Sequence, residues 1–194
     1  PGTGSADNGS FEIVGNVLKS KAAFDYETKS SYTIRVRTTD SGGLSAEKQL
    51  TVTVTDVNDA PTDVSLSGTT IAENSAIGTS IGSLSTTDQD TGDSFAYTLV
   101  PGTGDTDNGS FEIVGSVLKS KAVFNYEAKS SYTVRVRTTD SGGLSTEKQL
   151  TVTVTDVNEA PTAVNLANVP ASVPESMSTS SRVKVADIAV TDDA

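Results

Sequence analysis

Apolar and polar residues alternate strictly along Leu50-Thr51-Val52-Thr53-Val54-Thr55 and again along Leu150-Thr151-Val152-Thr153-Val154-Thr155. Successive side chains of a strand point to opposite faces, so each run predicts a strand with one face buried and one in water. Each run ends in a short acidic segment closed by proline: Asp56-Val57-Asn58-Asp59-Ala60-Pro61 and Asp156-Val157-Asn158-Glu159-Ala160-Pro161. Proline has no backbone donor, so strand pairing stops there. The same reading places strands near 63–71, 77–86, 95–100, 110–114, 117–124, 131–138 and 147–155. The turn formers between them include Glu73-Asn74-Ser75, the run from Asp88 to Asp93, Asn108-Gly109 and Ser141-Gly142-Gly143. No segment carries a sustained helical period.

Residues 1–62 match residues 101–162 without a gap and differ at nine positions (5, 6, 16, 23, 25, 28, 34, 46 and 59). A fixed period is the mark of a repeat array, and one of about 100 residues suits a whole small sandwich domain. The predicted organisation is therefore the C-terminal part of one module over 1–61, a complete module over 62–161, and the start of a diverged third over 162–194. Pro1 reads as a cut point inside a longer chain. Seven antiparallel strands per module predict an all-β fold of tandem two-sheet Greek-key β-sandwiches stacked head to tail. The predicted core is Val64, Leu66, Ile81, Leu84, Phe95, Tyr97, Leu99, Phe111, Ile113, Leu118, Tyr132, Val134, Val136, Leu150, Val152 and Val154.

Composition narrows the chemistry. The chain has 194 residues, 14 Lys and Arg against 25 Asp and Glu, a net charge of −11, and no Cys, His or Trp. Nucleic acid is an unfavourable partner for that charge, because phosphate binding needs clustered Lys and Arg. Zinc sites of Cys and His are excluded, as are Ser-His and Cys-His nucleophiles. No apolar run is long enough to span a bilayer, so direct membrane insertion is not expected. Paired carboxylates could in principle hydrolyse glycosides, but the few aromatics are claimed by the core, and no enzyme is predicted.

The acids collect where strands end. In an up-and-down reading, Glu73, Glu127, Asp156, Asn158 and Glu159 lie at one pole of the complete module. Asp88, Asp90 and Asp140 lie at the other. Head-to-tail stacking would bring the second set onto Asp25, Glu27, Asp56, Asn58 and Asp59 of the preceding module. Seven carboxylates meeting at one joint would repel one another without a counter-cation. Calcium takes six to eight oxygen ligands and suits such a set, whereas magnesium demands tighter octahedral geometry. The expected cofactor is thus Ca2+, bound between adjacent repeats.

These motifs resemble a known family. Ala72-Glu73-Asn74 resembles the cadherin Pro-Glu-Asn, and Asp88-Gln89-Asp90 its Asp-x-Asp. Phe24-Asp25-Tyr26-Glu27 is similar to its Leu-Asp-x-Glu, Asp140-Ser141-Gly142 to its Asp-x-Gly, and Asp56 to Pro61 to its linker. The module is similar to the cadherin-like repeats of bacterial surface proteins and, more distantly, to extracellular cadherin domains. The resemblance implies a cadherin/immunoglobulin-like sandwich, calcium between successive domains, and a rod-like array. Both linkers are one residue shorter than the cadherin form. At the second joint Asn125 and Glu159 replace Asp25 and Asp59, and the next module offers Asp192 and Asp193, so weaker binding is expected there. Glu175 would serve a further joint.

The expected role is a calcium-stiffened spacer or adhesion module of a long secreted or cell-surface adhesin, located outside the cell. The alternative is a homophilic or carbohydrate-binding module, with other surface proteins or polysaccharide as partners.

Overall fold

The computed structural model describes residues 3–169 and 184–192. They divide into two compact units. The first comprises residues 1–62 with the loops 87–95 and 139–145, and the second comprises residues 63–86, 96–138 and 146–194. Among the described residues there are sixteen short elements: fourteen strands and two single 3₁₀ turns, at Asn8–Ser10 and Asn108–Ser110.

The first unit holds two hairpin-like pairs. Strands β1 (Phe11–Val14) and β2 (Val17–Ser20) pair antiparallel, as do β3 (Ser31–Thr39) and β4 (Ser45–Thr53). Phe11, Phe24 and Tyr32 form an aromatic trio beneath them, with ring centroids 4.6–6.0 Å apart. Ile34 is buried, while Ile13, Val17 and Leu18 are exposed.

The second unit contains a β-sandwich. Its strands are β5 (Asp63–Leu66), β6 (Thr70–Ala72), β7 (Ser80–Thr87), β8 (Ala96–Leu99), β9 (Phe111–Val114), β10 (Val117–Ser120), β11 (Ser131–Thr139) and β12 (Ser145–Thr155). One four-stranded sheet has the order β5-β7-β10-β9 and the other β6-β12-β11-β8. Val64, Ile71, Ile81, Leu84, Phe111, Leu118, Phe124, Val134, Val136, Leu150, Val152 and Val154 fill the space between, with Leu66, Tyr97, Leu99, Ile113 and Tyr132 partly buried against them. The remaining pair, β13 (Ala163–Ala167) and β14 (Asp187–Thr191), is antiparallel and leaves Val164, Leu166, Ile188 and Val190 exposed.

The first predicted strand of the module is two strands in different sheets. β5 joins β7, whereas β6 pairs parallel with β12 through Thr70↔Thr153 and Ile71↔Val154. The crossing lies at Gly68, where a Cβ would meet the Ile81 carbonyl oxygen at 2.4 Å. Only glycine allows this approach. The break shifts the inward phase by one residue, which brings Ile71 into the core.

Two further expectations change, and one turn is sharpened. Phe95 lies outside β8 and is half-buried, not core. β10 ends at Ser120, so Phe124 reaches the core from an irregular segment, stacked on Phe111 at 5.3 Å. The turn expected at Asn108-Gly109 is a 3₁₀ turn over Asn108–Ser110. The Asn108 side chain accepts from the Arg135 N–H and donates to the Val100 carbonyl, which commits it to joining three segments. The β9–β10 hairpin turns at Gly115-Ser116, between the paired Val114 and Val117, with Gly115 at φ 62°.

Candidate metal centre

Among the described residues three groups of acids come together, each with ligand oxygens within 4.8 Å of one another. Two of them are in the first unit: Glu27, Asp56 and Asp90, and then Asp88, Asp93 and Asp140. The third is in the second unit: Glu73, Glu127 and Asp156.

In the first unit the acidic segment after β4 is tied to the loop that follows β7. The Asp59 N–H donates to Asp90 Oδ2 at 2.7 Å, and Gln89 Nε2 donates to Asp59 Oδ2 at 3.3 Å. Asn58 Nδ2 donates to Asp140 Oδ2 at 3.1 Å. That amide occupies space a side chain at Gly142 would take, since a Cβ there would lie 2.0 Å from Asn58 Oδ1. Gly42, the same residue in the other copy, meets nothing nearer than Asp40 Oδ1 at 3.3 Å. Glycine in Asp140-Ser141-Gly142 therefore makes room for the linker asparagine.

Burial raises the pKa of Asp140, but donation from Asn58 and from the Leu144, Gly143 and Gly142 N–H groups outweighs it, and the net shift is downward. Glu27 moves the other way. Its own backbone N–H lowers its pKa, while desolvation and the charges of Asp56, Asp90 and Asp25 outweigh that effect and raise it above 4.5. Desolvation first, and then like charges held close, disfavour its ionised form.

The second unit repeats the arrangement with one carboxylate deep inside. Glu73 is 2% exposed. It follows β6 and is fixed where its own N–H donates to the Thr155 carbonyl. Its Oε2 accepts from the Tyr126 N–H and its Oε1 from the Val157 N–H, both at 2.8 Å. One buried side chain thus pins both acidic segments that carry Glu127 and Asp156. Asn74, at φ 58°, turns the chain away and donates to Glu159.

Several predicted ligands make other contacts as well or stand apart from these groups. Asp25 stands in neither triplet, and its Oδ1 accepts from the Thr28 N–H at 2.9 Å. Asn125 does the same for the Ala128 N–H at 2.6 Å, so the exchange of Asp for Asn preserves the turn in both copies. Asn58 and Asn158 each donate to the next residue's carbonyl at 3.0 Å. Asp192 joins no acidic group among the described residues. Asp193 and Glu175 lie outside the described residues. Asp93 was not predicted as a ligand. Its signal was its place in the Asp-rich turn from Asp88, three residues past the Asp-x-Asp.

The chemistry of the donor set fits calcium. Every group is an oxygen, and Asp88 Oδ2, Asp90 Oδ1 and Asp93 Oδ2 are buried with no hydrogen-bond partner. Buried carboxylate oxygens left without donors are costly unless a cation meets them. Glu27, Asp56, Asp88, Asp90, Asp93 and Asp140 in one unit, and Glu73, Glu127 and Asp156 in the other, are the residues that would hold such ions.

Residues 68–155 match the Cadherin domain family.

Protocadherin gamma-A1 of Homo sapiens is 30% identical over 168 residues, which is 81% of this chain and 18% of that protein. Cadherin-8 of Rattus norvegicus is 35% identical over 126 residues, 58% of this chain and 15% of that protein. The chain thus spans less than a fifth of either relative. Both are mammalian, so nothing in them speaks for a bacterial source. Among solved structures, the extracellular cadherin domains 1–4 of Protocadherin Gamma B7 superpose with a TM-score of 0.66 at 21% identity, covering 91% of this chain and 44% of that one. Human Protocadherin-24 EC1-2 gives a TM-score of 0.58 at 23% identity, covering 76% and 77%. The fold is a cadherin-like β-sandwich.

The clustered acids give the ion-free protein a specific pH profile. A carboxyl whose folded pKa is raised above its unfolded value weakens the fold once ionised, and the loss is absent below the unfolded pKa. For Glu27 the loss therefore begins above 4.5 and is complete once pH passes its raised folded value. Asp7, lowered chiefly by Lys29, and Glu47, lowered chiefly by Arg35 and then Arg37, act oppositely: their stabilisation is lost as pH falls below 3.8 and 4.5 respectively. In chelator, the melting temperature should rise as pH is lowered through the raised Glu27 value toward 4.5 and fall below that. A monotonic fall from pH 7 would contradict the repulsion.

Proposed function

We propose that the chain is part of a head-to-tail array of cadherin-type repeats, with calcium bound at the joints and converting a flexible string into a stiff spacer. The observation that carries this reading is the set of unpartnered, buried carboxylate oxygens on Asp88, Asp90 and Asp93, beside the close acids Glu27, Asp56 and Asp140. Bound divalent cations would turn their repulsion into attraction. Ions that bind the assembled joint favour it by mass action. Calcium is preferred to magnesium because the donors are many, anionic and set on loops.

The array would be extracellular, as the cadherin match supports, and part of a longer surface or secreted protein. Among the described residues no helix is long and apolar enough to cross a membrane. Adjacent repeats are the first partners, and near-identity of the two copies favours length over a unique recognition surface. Small-angle scattering in calcium and in EDTA tests the role. The maximum dimension should be larger and better defined in calcium, and identical profiles would overturn the spacer reading.

A further inference from the structure

We propose that Asn8 is a site of spontaneous deamidation, and that Asn108 is the same site held shut by its side-chain contacts. Neither depends on the cations proposed above.

The chemistry needs a following peptide nitrogen that no side chain shields, and a side-chain amide that can turn onto it. The Gly9 nitrogen attacks the side-chain carbonyl carbon of Asn8. As that N–C bond forms, the C–NH2 bond breaks, and ammonia leaves with the proton of the Gly9 N–H. The resulting succinimide takes up one water and opens to aspartate or isoaspartate. Both copies meet the first need, since residues 7–11 and 107–111 share the sequence Asp-Asn-Gly-Ser-Phe. The fold does not demand glycine at either place. Neither Gly9 nor Gly109 has a positive φ, and a Cβ on either would meet nothing within 4 Å. The backbones also agree. Each asparagine opens a 3₁₀ turn, closed by Ser10 N–H to the Asp7 carbonyl at 3.0 Å and by Ser110 N–H to the Asp107 carbonyl at 2.9 Å.

The copies part at the amide. Asn8 is exposed, and both its bonds go to one residue: Oδ1 accepts from the Arg35 N–H at 2.9 Å, and Nδ2 donates to the Arg35 carbonyl at 3.2 Å. Water can replace both partners when the side chain turns. Asn108 is half-buried. Its Oδ1 accepts from the Arg135 N–H and its Nδ2 donates to the Val100 carbonyl, both at 2.9 Å. Turning it leaves partners in two segments unpaired and shielded from water, which is costly. Identical sequence and turn therefore give unequal reactivity. The reaction has a structural consequence at Asn8. A carboxylate still accepts from the Arg35 N–H but no longer donates to its carbonyl. Isoaspartate also adds a carbon to the main chain just before β1.

The test incubates the whole chain at mildly alkaline pH, folded and in urea, and follows both asparagines by peptide mass spectrometry. Wild type, Gly9→Ala and Gly109→Ala are compared. In the folded chain Asn8 should convert about fivefold faster than Asn108, the factor that one net hydrogen bond is worth. In urea the two should convert at equal rates. Gly9→Ala should suppress conversion at Asn8 and leave hydrogen exchange in β1 and β2 unchanged, whereas exchange there should rise in wild type as Asn8 converts. Gly109→Ala should suppress the conversion of Asn108 in urea. Equal rates in the folded chain, a folded chain that converts neither residue, or undiminished conversion in Gly9→Ala would overturn the proposal.

Discussion

Phe111→Ala should destabilise the sandwich by about 3–5 kcal/mol, the usual cost of deleting a buried aromatic ring. Phe111 is 2% exposed, stacked on Phe124 at 5.3 Å and edge-on to Tyr132 at 6.0 Å. Phe111 joins β9 to the segment that carries Glu127 through its contact with Phe124. The cavity would lie between the two sheets, among the other core side chains. The chain supplies its own control. Phe11 keeps the same neighbours, Phe24 and Tyr32, at nearly the same distances, yet it is only half-buried. Leu18 shows the same contrast, being 38% exposed where Leu118 is fully buried. Phe11→Ala should therefore cost well under half as much. Urea unfolding followed by hydrogen exchange in β10 and β11, and in β2 and β3, separates the two. Equal losses would show that the aromatic trio alone sets the stability, not the sheet that covers it.

Glu73→Ala should cost about 2–5 kcal/mol in the absence of calcium, because two N–H donors lose their acceptor at once. The groups left behind are the N–H of Tyr126 and of Val157. Glu73→Gln keeps a single acceptor oxygen and turns an NH2 toward the other donor, so it should cost roughly half. The two variants share a second expectation. The acidic segments after β12 and before Ala128 should become mobile, and the calcium-dependent rise in melting temperature should shrink. A neutral effect of Glu73→Ala on exchange at Val157 would contradict the pinning role.

The acids were legible in the sequence because strand ends can be ordered by pole once the alternation is read. That ordering brought Glu73 to Glu127 and Asp156, and Asp88 to Asp140. It did not show which side chain at each end turns inward. Asp25 lies beside Glu27 in sequence, yet the local turn claims it through the Thr28 N–H. Asp93 was invisible to motif spacing, since its approach to Asp88 depends on the path of the turn between them. The core was legible where the period of two held within a strand, whereas Phe95 keeps the phase of Tyr97 and Leu99 but precedes β8 and is only half-buried. The period failed at Ile71, where Gly68 lets one strand change sheets, and at Phe124, where an irregular segment supplies a core ring. Both misses are local breaks of period placed beside the acids, which is where the chain leaves its sheets.

The central claim is that these acids bind calcium. A calorimetric titration of the decalcified chain with CaCl2, run beside one with MgCl2, tests it most directly. Saturable uptake of more than one calcium per chain, much weaker for magnesium and reduced in Glu73→Ala, is the predicted result. No saturable heat, or equal binding of the two ions, would contradict it.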